Sequence, residues 1–268
     1  ERIRRVINKL VSEEDLIRTV TTAYGAGWRN VKLYFMCGLP TETDEDILQI
    51  ATMAKEVIRA GREASGRRDI KCTVSIGGFV PKPHTPFQWA AQLDHEATDA
   101  RLHKLKDAIR NDKEFGKAIG LRYHDGKPGI VEGILSRGDR RVGNIIETVW
   151  KNGARFDGWG EYFSFDRWME SAQYALEGTG VDVDWFTTRE RDYTEVLPWD
   201  HLDSGLDSEW LWEDWQDALA EVAVDDCRWT PCFDCGVCEQ MDTEIQVGPT
   251  GVTDLPMPSP RVSPVLAQ

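Results

Sequence analysis

The first third of the chain alternates between helical and extended hydrophobic patterns. Ser12 precedes apolar residues that share one helical face, and an aspartate three positions later completes a near capping box. The mostly apolar run 31–36 is typical of a buried parallel strand. Thr43 can cap a second helix in the same way, and another strand follows at 70–76. This order of strand, helix and strand predicts a right-handed βαβ unit.

The hydrophobic pattern changes after a further predicted helix at 94–111. A short run at 121–124 could be a third strand, although it is polar for that role. Helical periodicity then recurs in four segments, at 130–135, 142–150, 165–176 and 208–222. The last segment places four large residues on one stripe: Trp210, Leu211, Trp215 and Leu219. The boundary between the α/β part and the helical part is therefore predicted near 115–128.

The number of predicted strands limits the possible architectures. A complete (β/α)8 barrel takes about 250 residues, and an open doubly wound sheet usually needs about five strands. Two or three strands cannot close a barrel, and only the segment before the boundary has the α/β pattern. The chain also begins with charged residues that lead directly into a helix. We therefore expect an α/β fold class and the later portion of a larger protein.

Four cysteines lie within a short segment near the C-terminus: Cys227, Cys232, Cys235 and Cys238. Thiolates at this spacing suit a tetrahedral zinc site or an iron–sulfur cluster. The repeated C-x2-C-x2-C spacing favours iron–sulfur, because zinc ribbons more often have two C-x2-C pairs that are further apart. A pair of disulfides is the alternative interpretation.

The composition of the chain favours a metal site over disulfides for these four cysteines. The net charge is −14, no apolar run approaches the length of about 18 residues that a membrane span needs, and the first residues have no signal-peptide pattern. We expect a cytoplasmic protein without membrane contact, where clustered cysteines are more often metal ligands than disulfides. The acidic excess does not support nucleic-acid binding, because it repels a phosphate backbone. The isolated Cys37 and Cys72 are expected to be buried structural thiols.

Two strings carry a resemblance to a known enzyme family. VKLYFMCGLPTETDED and, after one helix, VSIGGFVPKPHTPFQW resemble the fifth and sixth β/α units of a radical S-adenosylmethionine (radical SAM) enzyme. In such enzymes a G-F/L-P-G-E-T loop ends one strand and a P-x-P/G-T-P loop ends the next. The strings VEGILSRGDRRVG, GARFDGW, LPWD and DCRWTPCFDCGVC are similar to the C-terminal half of one largely uncharacterised radical SAM family. Longer members of that family carry a cobalamin-binding-type domain upstream.

The resemblance covers residues 1–240. Together with the hydrophobic pattern it predicts a partial (β/α) radical SAM barrel at 1–115, a helical Trp-rich extension at 116–226 and a four-cysteine loop at 227–240. Residues 241–268 are predicted to be a disordered tail from their composition, which is rich in proline and glycine.

The resemblance also implies which residues approach SAM. They are Gly38, Pro40, Thr41, Glu42, Pro83 and His84. Thr41 and His84 stand where related enzymes frequently have glycine. Glu42 could instead cap the following helix, and His84 could be a solvent-facing loop residue.

One motif of the family is missing. The C-x3-C-x2-C loop that holds the catalytic [4Fe-4S] cluster does not occur in this sequence. The terminal cysteines follow the helical part, so they would hold an auxiliary [4Fe-4S] cluster or zinc instead.

Two hypotheses for the function follow. The first is that the chain is the C-terminal portion of a radical SAM enzyme with an unknown substrate. It would be inactive without its missing N-terminal part, which could also provide cobalamin. The second hypothesis is a non-catalytic acidic zinc-binding module that interacts with other proteins.

Overall fold

The computed structural model describes residues 1–9 and 11–244. Most of the predicted tail at 241–268 therefore lies outside the described residues. The helices and strands of the α/β part are α1 (Arg2–Val6), α2 (Glu13–Gly25), β1 (Asn30–Cys37), α3 (Asp44–Ser65), β2 (Lys71–Gly78), α4 (His95–Asn111) and β3 (Ile119–Tyr123). Short 3₁₀ turns at Pro86–Trp89 and Gly116–Ala118 complete this part.

Both predicted capping boxes are present. The Ser12 hydroxyl accepts a hydrogen bond from the Asp15 amide at 3.0 Å, and the Asp15 carboxylate accepts one from the Ser12 amide at 3.2 Å. The same reciprocal pair joins Thr43 and Asp46 at the start of α3. These bonds satisfy amides that the first turn of a helix leaves without partners. The local sequence therefore fixes where α2 and α3 begin.

The three strands form one parallel sheet in the order β1-β2-β3. β1 pairs with β2 along its whole length, from Asn30 opposite Lys71 to Cys37 opposite Gly78. The prediction that 31–36 and 70–76 are adjacent parallel strands is confirmed. The polar segment near 121 is also a strand, β3, and it lies inside the range 115–128 in which the boundary was predicted. The described residues form this three-stranded sheet and not a barrel.

Helices α2, α3 and α4 pack on a single face of the sheet. The core between them contains the alternate residues of the strands, Leu33, Cys37, Cys72, Val74, Ile76 and Ile119. The residues between these point to the opposite face, where Tyr34 is 70% exposed and Met36 is 40% exposed. In the described part of the chain the sheet is thus covered on one side and open to solvent on the other.

The helical part contains α5 (Gly126–Arg137), α6 (Val142–Lys151), α7 (Phe165–Ala175), α8 (Val183–Phe186), α9 (Ser208–Leu219) and α10 (Val237–Gln240). α5 to α8 surround a second core that includes Ile134, Ile145 and Trp168. α9 packs against the turn Pro86–Trp89 in a third core. Within the described residues, none of these or the earlier helices has both the length and the apolar character of a membrane span.

The apolar face of α9 differs from the predicted stripe. Leu211 and Trp215 are buried as expected, but Leu219 is 38% exposed and Ala218 occupies the buried position instead. The helix also ends at Leu219, three residues before the predicted end, and Glu221 follows with a φ of +62°. Leu219 is the last residue of α9, with Ala220 as the C-cap, so the last member of the predicted stripe lies at the end of the helix and is only partly covered.

Candidate functional site

The two loops that carry the predicted SAM residues begin side by side. Cys37 and Gly78 are paired at the carboxyl ends of β1 and β2, and the Phe79 amide donates a hydrogen bond to the Cys37 carbonyl at 2.8 Å. The loop 38–42 and the loop 79–86 therefore leave the same edge of the sheet. In parallel α/β folds this edge is where ligands bind.

The buried side chain of Glu42 ties the two ends of the loop 38–42 together. Its Oε1 accepts a hydrogen bond from the Gly38 amide at 2.9 Å and from Arg101 Nη1 at 2.7 Å. The Glu42 side chain is only 2% exposed, and this burial raises its pKa, although the Gly38 amide and Arg101 act in the opposite direction. Thr43 caps α3, so the alternative role of Glu42 as a helix cap is not realised.

Gly38 occupies a position that requires glycine for two reasons. Its φ is +91°, and an added Cβ would lie 3.2 Å from the Cβ of Leu93. The preceding Cys37 is buried, and burial raises the pKa of its thiol to about 12, with the nearby Glu42 carboxylate adding to the effect. Cys37 is therefore a packed structural thiol and not a reactive one.

Thr41 and His84 both have left-handed backbones, with φ of +62° and +53°. Such a conformation is unusual for any residue with a Cβ and is an outlier for β-branched threonine. Arg2 binds Thr41 twice, through Nη1 to the hydroxyl at 3.0 Å and through Nη2 to the carbonyl at 2.8 Å. At both positions this chain therefore places a residue with a Cβ in a backbone conformation that favours glycine.

The second loop is held through Gln88, a buried residue of the turn that follows it. Gln88 Oε1 accepts hydrogen bonds from the His84 amide at 3.1 Å and from Trp199 Nε1 at 2.6 Å. Trp199 belongs to the LPWD segment and is itself buried. Pro83 and His84 are half-buried beside this connection. The helical part of the chain thus supports the loop that follows β2.

The first loop has a matching connection to the C-terminal half. Besides Thr41, Arg2 contacts the carboxylate of Asp46 and lies 2.8 Å from that of Glu221, just beyond α9. The α1 helix and the end of α9 are in contact. Loop 38–42 is consequently fixed by an arginine that bridges the α/β part and the helical part.

Two buried arginines lie where α5 meets α8. Arg137 is fully buried and donates to the Thr187 carbonyl at 2.5 Å, while Arg191 donates to the Arg137 carbonyl at 2.7 Å. Burial lowers the pKa of Arg137 to about 9, with Arg191 adding to the shift, and burial lowers that of Arg191 to about 10. The Arg191 guanidinium is 5.0 Å from the centre of the Trp199 ring. The sequence gives no signal for this pair, because arginine side chains are usually at the surface.

The four-cysteine loop docks against the start of α9. The Asp207 amide donates to the Cys235 carbonyl at 2.9 Å, and the Asp234 amide donates to the sulfur of Cys232 at 3.3 Å. Asp234 and Gly236 have left-handed φ values of +56° and +88°, so the segment turns sharply around the Cys235 position. All six cysteines are unpaired.

A metal-binding arrangement is not formed by the described residues. No three His, Cys, Asp or Glu side chains among them are grouped so that they could hold an ion. The shared site for Cys227, Cys232, Cys235 and Cys238 therefore stays a prediction.

A surface cavity of about 980 Å³ lies between α4 and α7. His95, Phe165 and several carboxylates line it, but none of the predicted SAM residues does.

Comparison with known proteins gives one similar sequence. An uncharacterized protein of Methanocaldococcus jannaschii is 31% identical over 147 residues, which make up 55% of this chain and 30% of that protein. The aligned part of the chain thus covers less than a third of the relative's length. No family model matches the chain, and no solved structure matches it.

Proposed function

We propose that this chain is the C-terminal portion of a radical SAM iron–sulfur enzyme, with its sheet forming the last units of a (β/α) barrel. The observation that carries the proposal is the one-sided packing of the parallel sheet. Open parallel sheets normally have helices on both faces, whereas a barrel has all its helices outside and lines its interior with the other face. Tyr34, Ser75 and Arg122 would then face the interior.

The free edge of β1 supports the same proposal. In the described residues β1 pairs only with β2, which leaves one side of an eight-residue strand without partners. A long unpaired edge favours pairing with another strand. We assign that place to the preceding barrel strand, in an N-terminal part of the same protein that would also hold the C-x3-C-x2-C cluster loop. A cobalamin-binding-type domain further upstream is part of the proposal, and the greater length of the archaeal relative is compatible with it.

The chain's own residues would form one wall of the SAM pocket. Gly38 brings its backbone close to the pocket edge, and Glu42 holds the Gly38 amide in place. Pro40 and Pro83 stiffen the two loops, while Thr41 and His84 keep them in left-handed conformations. In the complete protein, SAM bound there would supply the 5′-deoxyadenosyl group and the cluster of the N-terminal part would supply the electron for the radical chemistry, which would remove hydrogen from a substrate not yet identified.

The four C-terminal cysteines would hold an auxiliary centre, either [4Fe-4S] or zinc. The hydrogen bond from the Asp234 amide to the Cys232 sulfur supports this, because amide donors stabilise thiolate ligands. The unpaired state of all six cysteines also suits the reducing cytoplasm, where we place the protein.

The metal proposal is tested by element analysis and by thiol labelling. We expect iron with sulfide, or zinc, in the anaerobically purified chain, and loss of that content in Cys235→Ala but not in Cys37→Ala. In the metal-free native chain iodoacetamide should modify the four terminal cysteines and spare Cys37 and Cys72, whose thiol pKa values are raised to about 12. Metal loading should protect the four. Unchanged metal content in Cys235→Ala would exclude a shared centre.

The enzyme proposal is tested with the longer protein. A preceding C-x3-C-x2-C motif should be found in the same reading frame, and the longer protein should release 5′-deoxyadenosine from SAM under reducing conditions. The present chain alone should not. The matched variants Gly38→Ala and Gly27→Ala both replace a glycine with positive φ, but only Gly38 lies in the predicted pocket. SAM binding by the longer protein should fall for Gly38→Ala alone. A longer protein without the motif would favour the non-catalytic metal-binding module.

A further inference from the structure

The uncovered face of the sheet has a charge opposite to that of the whole chain. We define it by the outward residues of the three strands: Asn30, Lys32, Tyr34, Met36, Lys71, Thr73, Ser75, Gly77, Gly120 and Arg122. Acidic residues outnumber basic ones by 46 to 32 in the chain, yet the three strands contain no aspartate or glutamate. The charged side chains of this face are therefore all cationic.

One row of this face brings three hydrogen-bonding side chains together. Tyr34 is paired with Ser75, and Ser75 with Arg122. Neighbouring strands are about 4.8 Å apart, so the row extends over about 10 Å. Among the described residues none of these three side chains has a hydrogen-bond or ion-pair partner. Lys32 adds a second charge, with its Nζ 4.8 Å from the centre of the Tyr34 ring.

The space between this row and the C-terminal ends of the strands is open to solvent. Met36 and Gly77 follow Tyr34 and Ser75 along their strands, and an added Cβ at Gly77 or at Gly78 would have no atom within 4 Å. A ligand could therefore reach the row from the edge of the sheet at which the two candidate loops begin.

We propose that the uncovered face binds the carboxylate or phosphate group of a small-molecule ligand. The guanidinium of Arg122 presents paired N–H donors that match such a group, and Lys32 supplies a second positive charge. The hydroxyl groups of Tyr34 and Ser75 complete the donor set. The net charge of −14 repels a large polyanion and so favours a small ligand. The assignment of this ligand as the enzyme's substrate rests on the proposed function, whereas anion binding by the face does not.

The experiment is an NMR titration of the isotope-labelled chain with inorganic phosphate and, separately, with acetate at constant ionic strength. We expect saturable shifts confined to the amides of the three strands, with the tighter anion showing which group the face prefers. Arg122→Gln should weaken this affinity by about tenfold, since it removes a charge-assisted contact. Lys32→Gln should weaken it less, because Lys32 is a single point charge.

Lys106→Gln is the matched control. Lys106 is an exposed lysine on α4, a helix of the covered side, and its replacement should leave the affinity unchanged. The variants change exposed side chains, so the fold is expected to persist. Absence of saturable shifts with both anions, or equal affinity in Arg122→Gln, would overturn the inference. Because no metal or SAM is involved, the result is independent of whether the proposed enzyme function holds.

Discussion

Glu42 provides the sharpest test of how the first candidate loop is held. Glu42→Ala would leave the Gly38 amide buried without a partner, which costs about 1–3 kcal/mol, and would remove a charge-assisted bond to Arg101 worth about 1.5–3 kcal/mol. We expect a total loss of about 3–5 kcal/mol in the free energy of unfolding, the range for a broken buried ion pair. Asp44→Ala, a control at a half-exposed carboxylate that also contacts Arg101, should cost about 1 kcal/mol or less.

Glu42→Gln separates the charge from the hydrogen bond. The amide oxygen of glutamine can still accept from the Gly38 amide, so we expect a loss of about 1 kcal/mol at neutral pH. Burial raises the folded-state pKa of Glu42 above its unfolded value, which means that the folded chain favours the protonated carboxyl. The stability that this shift contributes is present below the unfolded pKa and is lost as the pH rises through the folded pKa. The advantage of wild type over Glu42→Gln should therefore shrink as the pH rises.

The assay is urea unfolding of the reduced, metal-free chain, followed by tryptophan fluorescence across a pH series. All variants should be compared at the same pH, so that titration of other groups cancels. Glu42→Ala no more harmful than Asp44→Ala would refute the assigned role of the loop contact. If the stability advantage of wild type over Glu42→Gln instead grew as the pH rose, the inferred upward shift of the Glu42 pKa would be refuted.

Three further predictions concern backbone strain, a buried charge and close packing. His84→Gly should stabilise the chain by about 0.5–1 kcal/mol, because it relieves a left-handed backbone, whereas His84→Ala keeps the strain and should not. Equal unfolding midpoints for the two variants would contradict this. Arg137→Met keeps most of the buried volume and should change stability by less than about 2 kcal/mol, while Arg137→Ala should cost more than about 3 kcal/mol. Thermal unfolding would separate the two. Gly61→Ala would place its Cβ 2.6 Å from the Tyr24 ring and should cost about 1–3 kcal/mol, whereas Gly25→Ala meets no atom and should not destabilise.

The elements that the sequence predicts well are those defined by neighbouring residues. The caps at Ser12 and Thr43 are short-range hydrogen bonds, and the two apolar strands are recognisable from consecutive residues. The third strand is harder to recognise because Gly120 and Arg122 face the uncovered side, so its outward half looks polar. Its identity depends on pairing with β2, which is information that its own sequence does not contain.

The side chains that hold the candidate site depend on contacts between distant parts of the chain. Glu42 is paired with a residue 59 positions away, and Gln88 with one 111 positions away. Arg137 is buried because α8 and a following segment surround it. Local pattern and charge predict an exposed role for such residues, since only the tertiary fold removes them from water. The same reason explains why the spacing of the four cysteines indicates a shared site without fixing where their sulfurs lie.

The two strained residues connect the candidate loops to the helical part of the chain. Left-handed backbones such as those of Thr41 and His84 persist only where the surroundings hold them in place. Thr41 is bound by Arg2, which also contacts a carboxylate beyond α9, and His84 is bound by Gln88, which Trp199 holds from the other side. Both supports therefore originate, at least in part, in the C-terminal half. The helical extension is therefore a structural support of the loops after β1 and β2, and removing either support should loosen the corresponding loop.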